Sequence, residues 1–222
     1  MAKKLGKITK PEAESFKGKR KLYLVPLIFS REKAPEEYVA KFNLYWKQVG
    51  EHIAGLELKA GKVGHVYYEL DNFGGDGGLE IMEKLNPPSF QIVKAKCQGG
   101  AVLEPTEDKE LVEENMDWER ILLMGFISQK VSKAVSEFYV STLKKRFEHI
   151  ARRIDETLKS GGAGMLFMRE GHGIQFPQDI EVFSVAPPAL DEIHRWQRDS
   201  LAVKERGEPQ RESPDSEGCC CG

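Results

Sequence analysis

The stretch KLYLVPLIFS, Lys21–Ser30, decides the fold class. Leu22, Tyr23, Leu24, Val25, Leu27, Ile28 and Phe29 make an almost unbroken apolar run, the pattern of a strand buried on both faces. A strand covered on both sides needs helices above and below it, and the flanking sequence supplies them. Helical spacing of Tyr38, Phe42, Tyr45, Val49, His52, Ile53 and Leu56 predicts a helix over Pro35–Leu58, with Glu36 and Glu37 at its N-terminal end.

Further along, VGHVYYELD (Val63–Asp71) reads as a second strand and FGGDGG (Phe73–Gly78) as a turn. A short helix, Leu79–Leu85, is expected to stop before Pro87 and Pro88, and Gln91–Cys97 to form a third strand that Ala101–Leu103 continues. Apolar residues keep helical spacing from Asp108 to Lys159, too long for one ordinary helix, and Gly125–Ser128 is the natural break into an antiparallel pair. MLFM (Met165–Met168) and IEVFSV (Ile180–Val185) are strands, and Ala189–Leu201 a last helix. The reading is an α/β fold: a mostly parallel sheet of about five strands, helices on both faces, and a long helical pair.

Composition frames this core. The 222 residues carry 33 basic and 35 acidic side chains, a net charge of −2. That balance gives no basic field for nucleic acid, and no run of apolar residues is long enough to span a membrane. Residues 1–20, with seven Lys or Arg, read as a mobile basic arm, 21–203 as a single domain, and 204–222 as a disordered tail ending in Cys219, Cys220 and Cys221. Adjacent cysteines lack metal-binding spacing, Cys97 stands alone, and Leu22–Phe29 is too short and too interrupted by Pro26 for a secretory signal. A cytoplasmic location is the expectation. The basic clusters Lys144–Arg146 and Arg152–Arg153 alternate with Glu148, Asp155 and Glu156, as on a solvated mixed-charge face.

In a parallel sheet the ligand site lies beyond the carboxyl ends of the strands. Three loops qualify: those after Tyr68, Leu103 and Met168. The first carries Glu69, Asp71 and a glycine cluster that matches no phosphate-binding pattern and holds Asp76 where a phosphate would lie. The second carries Glu104, Glu107 and Asp108, the last two suited to a helix start after Thr106. The third carries Arg169, Glu170 and His172, an imidazole flanked by glycines. Glu69, Glu104, Glu170 and His172 are therefore the candidate ligands of a divalent metal, with Glu69, Glu104 and His172 as catalytic groups in metal-assisted hydrolysis. His65, His149 and His194 read as structural or solvent-facing.

The stretch RFEHIARRIDETLKSGGAGMLFMREGHGIQF, Arg146–Phe176, resembles the C-terminal helix–strand–GxxH segment of the TraB/TIKI-like and erythromycin-esterase-like superfamily. The strand ending in Glu69 is similar to that superfamily's glutamate-bearing strand. The resemblance implies a metal-dependent hydrolase-like site with Glu69 and His172 as ligands or acid–base groups. The chain departs from the pattern in having no GxxH after Phe29, and the third loop reads Arg169-Glu170-Gly171-His172. The competing reading is a non-catalytic binding or scaffold protein, with a protein partner docking on the helical surface and on the C-terminal helix through Leu190, Ile193 and Trp196.

Overall fold

The computed structural model describes residues 18–31 and 33–207. Residues 208–222 of the expected tail, with its cysteines, and residues 1–17 of the expected arm lie outside these, while 204–207, expected in the tail, are helical. The strands are β1 (Arg20–Pro26), β2 (Val63–Tyr68), β3 (Val102–Leu103), β4 (Ala163–Met168) and β5 (Ile180–Ser184). The helices are α1 (Glu36–Ala60), α2 (Gly75–Leu85), α3 (Pro87–Gln98), α4 (Lys109–Leu123), α5 (Gln129–Thr157) and α6 (Pro188–Gly207). All strands pair in parallel in the order β3-β2-β4-β1-β5. Every residue of β4 is buried, as expected of a strand flanked on both edges and covered on both faces.

Side-chain alternation along β1 divides the core into two layers. Tyr23 and Val25 face α1, α2, α3 and α6, packing with Tyr45, Trp46, Val49, Ile53, Met82, Val93 and Ile193. Leu22 faces α5, packing with Tyr67, Ile150, Ile154, Leu158 and Leu166. Among the described residues no helix is long and apolar enough to cross a membrane.

Four expectations need correction. Gln91–Cys97 is not a strand but most of α3. Pro87 and Pro88, read as a stop, occupy the first turn of α3, where a missing N–H and a fixed φ are advantages. The Asn86 side chain caps that turn by accepting from the Ser89 N–H (3.4 Å). Second, α4 is capped by Asp108, whose Oδ1 accepts from the Leu111 N–H (3.0 Å), so Glu107 lies outside the helix. Third, Arg20 belongs to the sheet rather than to an arm. Its guanidinium binds Asp179 (2.7 and 2.8 Å) and Asp155 (2.7 Å). Fourth, Leu190 and Ile193 are core residues, and Trp196, partly buried, packs its ring on Tyr38 at 4.9 Å between centroids, so the three are not displayed together on the surface of α6. The break in the long helical pair falls where expected. Gly125 takes φ +72°, and the Ser128 hydroxyl accepts from the Val131 N–H (3.4 Å).

Candidate functional site

β4 lies between β1 and β2, and the carboxyl ends of β2 and β4 sit side by side, with Tyr68 opposite Phe167. The Glu69 N–H donates to the Phe167 carbonyl (2.9 Å), so Glu69 leaves β2 directly against β4. Leu70 then takes φ +71°, a rare conformation for a residue with a branched side chain, and turns the chain sharply. The Asp71 carbonyl accepts from both the Thr106 and Glu107 N–H groups (2.9 Å each), which brings the β3–α4 loop over the end of β2. The Thr106 hydroxyl accepts from the Tyr68 N–H (3.0 Å).

A buried ion network fills the space thus formed. Arg146 reaches in from α5 and is 2 % exposed. Its Nε donates to Glu107 Oε2 (2.9 Å), and its Nη2 donates to both Glu107 Oε1 and Glu69 Oε1, the latter at 3.2 Å. Glu69, 1 % exposed, also accepts from the Arg169 backbone N–H (2.8 Å) and from Arg169 Nε (2.8 Å). Burial works to lower the Arg146 pKa, but Glu107 and Glu69 outweigh it and hold the guanidinium charged. Two carboxylates thus face two guanidiniums, and the Arg169 side chain stays about half exposed.

His172 stands beside this network on the β4–β5 loop. Its ring packs edge-on against Phe176 at 6.2 Å. Its Nδ1 is buried and has no hydrogen-bond partner. Burial pushes the imidazole pKa below 6.5, a shift that the Glu69 charge opposes. The other two candidates point elsewhere. Glu104 Oε1 is hydrogen-bonded with His65 Nδ1 (2.8 Å) across β2 and β3, and its Oε2 lies 3.9 Å from Arg153 Nη2. Glu170 pairs with His194 Nε2 (2.6 Å) beside a cavity of about 230 Å³ that Leu27, Phe29 and Tyr38 also line. The structure therefore sets His172 near enough to Glu69 to feel its charge and leaves Glu104 and Glu170 in separate pairs. Among the described residues no group of three or more His, Cys, Asp or Glu side chains is placed to hold a metal ion. Three of the four expected ligands are paired separately: Glu69 with Arg146 and Arg169, Glu104 with His65, and Glu170 with His194.

Arg146, expected on a solvated mixed-charge face, and Glu107, expected at a helix start, are buried partners, and His194, expected to be structural or solvent-facing, pairs with Glu170. Arg146 did leave a signal, because it sits four residues before Ile150 and eight before Ile154, on the stripe that α5 buries. A charge on an apolar stripe needs a buried partner. Glu107 left none, since an acidic residue at a helix start is already explained by the helix dipole. The glycine cluster is structural. Gly74 has φ +67° and packs so closely on Pro105 that a Cβ would come within 2.8 Å of it. The chain matches no known protein family, no curated protein and no solved structure.

Proposed function

We propose that this protein is a hydrolase whose general base is His172, working at the carboxyl ends of β2 and β4. One observation carries the reading: the buried, unpartnered Nδ1 of His172 lies beside a network in which every carboxylate is already committed. Partial burial lowers the imidazole pKa, which favours the neutral form that can accept a proton from a water positioned by substrate. Glu69 holds Arg169 by both its backbone N–H and its Nε, which leaves the guanidinium's other nitrogens free to meet an oxygen that gains negative charge. Arg146 and Glu107 keep Glu69 in place. Glu69, Glu104 and Glu170 are each paired with a cation or an imidazole.

The test is a panel of chromogenic acyl esters, lactones, anilides and phosphate esters. His172→Ala should lower kcat/KM on the substrate class turned over by about 10²–10⁴-fold, the usual contribution of a positioned acid–base group. Chelation should leave the wild-type rate intact. A His172→Ala protein as active as wild type would sink the reading.

A further inference from the structure

The α4–α5 hairpin is only partly finished as a packing unit. In α4 the one buried residue is polar, Asn115, and α5 buries nothing before Thr142. Along the two legs and at the turn between them stand Met116, Leu123, Met124, Ile127, Val131 and Phe138, from 42 % to 108 % exposed. Met116 and Leu123 are seven residues apart on α4, and Val131 and Phe138 seven apart on α5, the spacing of a helix–helix seam. Trp118 stacks on Phe138 at 5.3 Å and closes only the space between the legs.

Charge divides the legs by sign. Within α4, five carboxylates stand against two cations. Over 129–145 on α5, Lys130, Lys133, Lys144 and Lys145 stand against Glu137 alone. The surface ion pairs of the hairpin run along each leg, Arg120 with Asp117 and Lys133 with Glu137, and among the described residues none joins α4 to α5. Apart from Glu114, which accepts from the Thr142 hydroxyl across the hairpin (2.7 Å), the opposite charges are open to a partner that carries the same two legs.

We propose that the hairpin is a self-association surface: two copies of this chain close a four-helix bundle in which the acidic α4 of each lies along the basic first half of the other's α5. Such an arrangement places helices of opposite sign side by side all round the bundle, and it covers the apolar residues on both legs. A lipid surface fits less well, because the exposed apolar residues descend both legs to Met116 and Phe138 rather than ending at the tip.

Sedimentation velocity on the full chain should give a species of twice the 25.1 kDa chain mass at micromolar concentration. The double variant Leu123→Asp, Ile127→Asp should sediment as a monomer with an unchanged far-ultraviolet CD spectrum, because both sites are exposed in the single chain. Glu113→Lys with Asp117→Lys should weaken the dimer about tenfold or more, and adding Lys130→Glu with Lys133→Glu in the same chain should restore it. A wild-type monomer at every concentration would overturn the proposal. So would a dimer indifferent to these substitutions, or a monomer that floats with phosphatidylserine vesicles.

Discussion

Arg146 shows how much one side chain can hold in place. Its guanidinium is shared by Glu69 and Glu107, which enter from different loops, and all three are sealed from water. Arg146→Met leaves Glu107 buried without a cation and Glu69 with only the half-exposed Arg169, so it should lower the unfolding free energy by about 3–5 kcal/mol in urea titration. Converting Glu69 and Glu107 to Gln in the Arg146→Met chain should recover much of that loss. Gly78 is a second such point. A Cβ there would lie 2.6 Å from Asp71 Oδ2, and Asp71 cannot retreat because its Oδ1 accepts from the Phe73 and Gly74 N–H groups. Gly78→Ala should therefore destabilise by about 1–3 kcal/mol, the usual penalty for overpacking, read from the urea midpoint. For His172 the sign follows from its lowered pKa. The unfolded chain takes up a proton near pH 6.5 that the folded chain refuses until lower pH, so stability falls as the pH drops through 6.5. His172→Gln should flatten that part of the stability–pH curve relative to wild type.

Among the elements, legibility followed how local the evidence was. β1, β2, β4 and β5 announce themselves as apolar runs, and the turn between α4 and α5 by Gly125 and Ser128. Helix α3 did not, because the prolines before it act at a beginning as well as at an end. Asn86 settles the matter through contacts that sequence hides: its Oδ1 caps α3 while its Nδ2 donates to the Ile28 carbonyl beyond β1 (2.8 Å), 58 residues away. Asn86→Ala removes both bonds from a buried position. It should cost about 2–3 kcal/mol, more than a helix cap alone, in the same urea assay. The candidate site was half legible for the same reason. Glu69 and His172 could be nominated from strand-end position, but nothing local pairs Glu69 with Arg146, 77 positions on, or Glu104 with His65.

At the scale of the whole molecule, packing is uneven. The sheet is enclosed by helices, while α4 and the first half of α5 stand against little but each other. Hydrogen exchange should register this as slow exchange in β1 and β4 and faster exchange in α4 and over 129–141, with the hairpin slowing as protein concentration rises if two copies meet there. The hairpin is also fastened at its root. Glu107 immediately precedes the cap of α4, and Arg146 lies midway along α5, so their buried bond ties the two legs together where they leave the body. The legs behave as tongs riveted at the pivot, and the rivet is the same guanidinium that steadies Glu69. Parting the legs at their base therefore requires breaking the Arg146–Glu107 bond, whose guanidinium also holds Glu69.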